Sequence, residues 1–200
     1  MDISGIANIQ TLYKKSSIKN WIKLIPIDKT VLFDTYPRKN YFKHLMNIEL
    51  DKTDHRNTLI QFIPIQGVEE DILKKTEWIY IFLINGRIVK IGGTRTGIKG
   101  RIRSYLCGHH IRERGKSGDC SKTNGFVYNT FEFYLQQGCS IQMYGYELPN
   151  IEVSIELFNI SKIIYPQTFH TYESMFLEDY KTMYSHFPIL CDNSDPLYRN

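Results

Sequence analysis

A chain of 200 residues with 42% hydrophobic side chains is long enough to build one domain around a real core, and it reads as a soluble globular protein. The longest apolar run, Trp78 to Ile84, is too short to cross a bilayer, and Met1-Asp2 lacks the basic and then apolar start of a signal peptide, so a cytoplasmic location is expected. Net charge is only +4, yet residues 87 to 122 hold ten bases (Arg87, Lys90, Arg95, Lys99, Arg101, Arg103, Arg112, Arg114, Lys116, Lys122) against Glu113 and Asp119, so the positive field belongs to one segment. Phosphate is the natural partner of such a segment, with a merely solvated basic surface as the alternative.

In chain order, residues 1–76 mix short apolar stretches with loops such as "DTYPRKN" and end in a short helical candidate, "GVEEDILKK"; they read as an N-terminal extension that embraces DNA or supports dimerisation. A β-hairpin follows at "EWIYIFLINGRIVKIGG", residues 77–93. Ile98, Ile102, Tyr105 and Leu106 then recur at helical spacing between Gly97 and Cys107, and a glycine-rich basic loop occupies 108–122. Asn124 can cap a helix to Gln137 with Val127, Phe131, Tyr134 and Leu135 as its buried stripe and Gly138 as its left-handed stop. Ser140 to Leu148 reads as a strand, and His170 to Tyr184 as a helix with Tyr172, Phe176, Tyr180 and Met183 on one face, followed by Pro188. This order predicts an α+β fold, an α/β sandwich with a small, mostly antiparallel three-stranded sheet flanked by helices.

The cysteines at 107, 120, 139 and 191 form no CxxC pair and are expected as free thiols. Cys107, His109, His110 and Cys120 offer zinc-ligand side chains, but their spacing matches no common finger.

The hairpin raises a sharper question, because Tyr80 and Lys90 are polar groups in an otherwise apolar unit. A two-residue Asn85-Gly86 turn would put them on opposite faces. A three-residue loop, Ile84 to Gly86, with Gly86 left-handed in a bulge, would pair Tyr80 directly with Lys90 and gather Ile79, Ile81, Leu83, Val89 and Ile91 on one aliphatic face; this register is the expectation. A cation beside a phenol favours phenolate, which would let Tyr80 accept a proton from water. The alternative is a Lys90 that snorkels past the edge and a Tyr80 that packs as an aromatic.

"WIY", then "KIG" after ten residues, then "GRIRSY" on a helix and "TYESMFLEDY" on a later helix together resemble the GIY-YIG nuclease superfamily, particularly its type II restriction endonucleases. The resemblance covers residues 77 to about 195. It implies catalytic roles for Tyr80 (first motif tyrosine), Arg101 (helix arginine) and Glu173 (the metal-holding glutamate). Asn193 is the candidate for an asparagine that often follows the glutamate helix. Trp78 stands where the first motif glycine would be, and Lys90 replaces the second tyrosine, as in some restriction enzymes of the superfamily.

The chemistry suits those residue types. Tyr80 aided by Lys90 can serve as base for water, and Arg101 suits a bidentate phosphate contact. Glu173 alone can anchor Mg2+, or Mn2+ in its place, because Mg2+ keeps most of its waters. "GGTRTGIK", residues 92–99, nearly copies a phosphate loop, but Ile98 interrupts its Gly-Lys and no Ser or Thr follows, so a nucleotide hydrolase is discounted.

Double-stranded DNA is the expected partner, contacted by Arg95, Lys99, Arg103, His109, His110, Arg112, Arg114, Lys116, Lys122 and Asn193. Cutting both strands of a near-palindrome implies a homodimer, and restriction implies a cognate DNA methyltransferase as genetic partner. A phage, mobile-element or repair nuclease, or a non-catalytic DNA-binding module, would carry the same features.

Overall fold

Seven consecutive apolar or aromatic residues, Trp78–Ile84, form a strand buried along its whole length on both faces, and the rest of the protein is organised around it. The computed structural model describes residues 22–52, 58–106 and 122–191. Eight strands and four helices occur among them: β1 (Val31–Leu32), β2 (Lys43–Leu50), β3 (Ile60–Pro64), α1 (Glu69–Leu73), β4 (Trp78–Ile84), β5 (Arg87–Thr94), α2 (Gly97–Leu106), α3 (Lys122–Gln136), β6 (Ile141–Glu147), β7 (Val153–Leu157), β8 (Ile160–Ile164) and α4 (Phe169–Tyr184).

The main sheet has six strands in the order β1-β5-β4-β6-β2-β3, every pair antiparallel. The expected α+β class fits, while the expected three-stranded sheet is too narrow. The triplet β5-β4-β6 lies at its centre, and residues before 77 add β1 on one side and β2 with β3 on the other. β2 is hard to see in sequence because a bulge between His44 and Met46 breaks its two-residue alternation.

The period-2 pattern of β4 divides the core into two layers. Trp78, Tyr80, Phe82 and Ile84 pack with Ile98 and Tyr105 of α2 and with Val127, Tyr128, Phe131 and Tyr134 of α3. Ile79, Ile81 and Leu83 pack with Ile88, Ile91 and α4, which contributes Phe169 and Tyr180. α3 is buried nearly all round, its polar Asn129, Thr130 and Glu132 included, and residues 22–25 lie against it, with Lys23 N donating to Thr130 Oγ1 at 3.0 Å and Ile25 N to Tyr134 Oη at 2.7 Å. Gly138 ends α3 at φ 78°, as expected of a left-handed stop.

The expected hairpin register is corrected. Asn85 (φ 47°) and Gly86 (φ 73°) form a two-residue turn, with Ile84 opposite Arg87. Asn85 Oδ1 accepts from Ser140 N at 2.8 Å, and Asn85 N donates to Ser140 O at 2.9 Å, so the approach to β6 holds the turn. The bulge lies inside β5 instead: pairing runs Leu83 with Ile88, then Phe82 with Lys90, skipping Val89. Tyr80 therefore faces Gly92 rather than Lys90, although Tyr80, Phe82 and Lys90 still share a face. Val89 and Ile88 also exchange the faces expected of them.

Residues 189–191 run along the free edge of β5 beyond β1. Leu190 N donates to Val89 O at 2.9 Å, and Cys191 Sγ takes the place of a neighbouring strand against Ile91, accepting from its N at 3.2 Å and donating to its O at 3.0 Å. Cys139 and Cys191 are free thiols; Cys107 and Cys120 lie outside the described residues. No helix among the described residues is long and apolar enough to cross a membrane.

Candidate active site

Tyr80 sits at the middle of β4, fully buried, with its ring over Gly92 of β5. A Cβ at Gly92 would fall 2.6 Å from Tyr80 Cζ, so only glycine leaves the phenol its place. From the opposite side α2 brings Arg101, whose Nε donates to Tyr80 Oη at 2.7 Å and whose second amino group donates to Tyr105 Oη at 3.0 Å. The two phenolic oxygens are themselves 2.7 Å apart. Arg101 and Tyr105, four residues apart, share one face of α2, and the guanidinium carbon stacks 4.4 Å from the Tyr105 ring centroid.

Tyr105, which the sequence places only in the core, is brought by the fold into contact with Tyr80 and Arg101. Its ring does belong there, and the one sign of a second role was its spacing from Arg101.

Burial above all, and then the adjoining Tyr105, hold the Tyr80 phenol well above its ordinary pKa, against the opposing pull of Arg101. The resting phenol is therefore protonated at neutral pH, not the phenolate expected from a paired Lys90. Lys90 is also buried, and its Nζ donates to Leu190 O at 3.2 Å. Burial disfavours the ammonium, but Cys191, Tyr105 and Glu173 outweigh it and raise the pKa, so Lys90 remains charged. Arg101 is likewise raised: burial opposes its charge, and the two phenols more than compensate.

Glu173 reaches the same place from the other layer. It stands one turn into α4, four residues after Phe169, and both cover Gly93: a Cβ there would meet Phe169 Cδ2 at 2.7 Å and Glu173 Oε2 at 2.9 Å. Tyr80 and Glu173 thus lie on opposite faces of the sheet but against consecutive glycines near the end of β5, and the carboxylate raises the pKa of both Tyr80 and Lys90. The start of α4 is pinned to the start of β4 by Glu77, whose Oε2 accepts from Thr168 N and Thr168 Oγ1, both at 2.8 Å, and from Phe169 N at 3.2 Å.

Glu173 is half-buried and makes no hydrogen bond or ion pair with another described residue. One free carboxylate is a hard oxygen donor suited to a cation that keeps most of its waters, so the donor set fits Mg2+. Among the described residues no group of three or more His, Cys, Asp and Glu could hold a metal ion.

Arg95, Lys99 and Arg103 are exposed at four-residue intervals, the last two on α2 facing away from Arg101. Lys122 begins α3. His109, His110, Arg112, Arg114, Lys116 and Asn193 lie outside the described residues.

No protein-family profile matches this chain, and no curated protein does. Solved structures that share its fold include two nucleases. Restriction endonuclease HPY188I in complex with product DNA is 26% identical, with a TM-score of 0.50, over 81% of this chain and 86% of that one. A mutant of bacteriophage T4 EndoII is 18% identical, with a TM-score of 0.51, over 76% of this chain and 96% of that one, a likeness of fold alone.

Proposed function

We propose that this protein is a DNA endonuclease of the GIY-YIG type, cutting double-stranded DNA at a specific sequence as a type II restriction enzyme with one Mg2+ per active site. The observation that supports the reading is that Tyr80 with Arg101 on one face of the sheet, and Glu173 on the other, lie against the consecutive glycines 92 and 93, in a fold shared with a restriction endonuclease in complex with product DNA. A phage, mobile-element or repair nuclease on the same core is the second reading, since the fold also occurs in bacteriophage T4 EndoII.

In this reading the Tyr80 phenol first releases its proton to solvent, and the phenolate so formed takes one from the attacking water and returns to the neutral phenol. Until that transfer its oxygen bears negative charge between two donors, Arg101 Nε–H and Tyr105 O–H. Two phenols this close cannot both ionise, so the one that keeps its proton stabilises the other. Lys90, on the same face of the sheet, adds a positive charge that interacts with Tyr105 and Glu173. Arg101, charged at any working pH, has N–H groups beyond its two phenol contacts to offer a phosphate oxygen. Glu173 would hold Mg2+, which supplies charge neutralisation at the scissile phosphate.

Glycines 92 and 93 place no side chain between β5 and the groups that cover it, so Tyr80 and Glu173 come against its two faces. Arg95, Lys99, Arg103 and the basic segment to Lys122 supply phosphate and base contacts. Two copies, one per strand, complete a double-strand cut, and a DNA methyltransferase of matching specificity protects the host.

The test is digestion of mixed plasmid DNA with Mg2+, or Mn2+, by wild type and Glu173→Gln. Discrete bands from wild type, and a variant that binds DNA without cutting it, support restriction. A smear supports the looser nuclease. Uncut DNA across many sequences and metals would leave only a DNA-binding module and end the reading.

A further inference from the structure

Between β6 and α4 the chain leaves the molecule as a two-stranded arm, β7 and β8, in which all ten strand residues are exposed. Val153 faces Ile164, Ile155 faces Lys162 and Leu157 faces Ile160, so five aliphatic side chains and one lysine share one face. Phe158, 86% exposed, tops the arm in a turn with Asn159, where both residues have positive φ (51° and 59°). The reverse face carries Ser154, Glu156, Ser161 and Ile163. A lone two-stranded hairpin is marginal in water, and a soluble protein seldom leaves a continuous apolar face of this size uncovered.

We propose that this arm is a homodimerisation surface, covered by the same arm of a second copy of the chain. Area and charge decide between occupants. Taking about 200 Å2 for a large side chain fully exposed, the apolar face and Phe158 offer about 600 Å2 per copy, or about 1,200 Å2 for two, which reaches the range of specific interfaces. From Ile151 to Tyr165 the only base is Lys162, against Glu152 and Glu156, so the arm lacks the positive charge that DNA phosphate requires. A flat aliphatic face makes no demand except for another such face, and two-fold symmetry provides an identical one. Its two sheets would pack face to face with Lys162 snorkelling to the rim.

Sedimentation equilibrium of the full chain without DNA tests this, independently of any cleavage. Wild type is expected at twice the 23.6 kDa chain mass and Leu157→Glu/Ile160→Glu at that mass, with near-ultraviolet circular dichroism unchanged. A wild-type monomer at tens of micromolar overturns the proposal, as does a double variant that folds and stays dimeric; so does a monomer that cosediments with phosphatidylcholine–phosphatidylglycerol vesicles. Should the variant fail to fold, wild-type hydrogen exchange decides: amides of residues 153–164 are expected to be protected when concentrated and to lose protection on dilution, and protection independent of concentration overturns the proposal. Glu173→Gln is expected to remain a dimer, so loss of nuclease activity and loss of dimer are read separately.

Discussion

Replacing Tyr105 with phenylalanine tests the chemistry proposed for Tyr80 with little disturbance of packing. The ring, only 1% exposed, keeps its contacts, while the hydroxyl that links Tyr80 Oη (2.7 Å) and accepts from Arg101 (3.0 Å) is lost. If that hydroxyl donates to the Tyr80 phenolate, its loss costs what a hydrogen bond to a charged group is worth, about 1.5–3 kcal/mol. That corresponds to a fall in cleavage rate of about 10- to 150-fold. The acid limb of the pH–rate profile should move down while the plateau rate falls, because Tyr105 is one of the neighbours that raise the Tyr80 phenol. Single-turnover cleavage of supercoiled plasmid at saturating Mg2+ measures both, and thermal melting should show a loss of only about 1 kcal/mol. A Tyr105→Phe enzyme that cleaves as fast as wild type, or faster, would show that Tyr105 competes for the charge rather than supporting it, and the account of the base would fail.

Gly92→Ala puts a methyl group 2.6 Å from Tyr80 Cζ, and overpacking of this kind costs about 1–3 kcal/mol. Melting should fall by about 2–10 °C, and wild-type cleavage and melting together would contradict the close approach. Glu77→Ala removes the acceptor at the start of α4, costing about 1–2 kcal/mol, and should raise the Mg2+ midpoint for cleavage several-fold because Glu173 is less well held; a lower Tm with an unmoved midpoint would deny Glu77 any positioning role. Burial raises the phenols of Tyr80, Tyr36 and Tyr180, and pushes Tyr134 up to about 12. Groups raised in the folded state contribute stability that is complete below their ordinary pKa near 10 and lost above it. Tm should therefore hold up to that pH and then decline, with these four phenols ionising at 295 nm only as the protein unfolds. Reversible native titration of all fourteen tyrosines with an unchanged Tm would refute this.

What could be read in advance follows from which contacts are local. The stripe Tyr172, Phe176, Tyr180 and Met183 announces α4, and Gly138 announces the end of α3, because helix periodicity and a left-handed stop are decided within a few residues. The hairpin register was not legible, since its bulge at Val89 is matched by Leu190, about a hundred residues away. β2 hides behind its own bulge, and β7 and β8 behind a Phe-Asn turn that carries no usual turn signal. Of the site, residue types and order pointed to Tyr80, Arg101 and Glu173. The ionisation of Tyr80 could not be foreseen because it depends on burial by two helices, and Tyr105 because the same side chain serves packing and polarity at once.

The two glycines that let the layers meet also set when the protein can act. Synthesis delivers the phenol, the lysine and the guanidinium early, but the carboxylate that answers them comes from the last helix, after a detour through the arm. On the proposed chemistry, a ribosome-bound or prematurely terminated chain would hold most of the cutting apparatus and still be harmless. Activity would begin only once the second layer closed over Gly93, so that finishing the fold and arming the enzyme are one event.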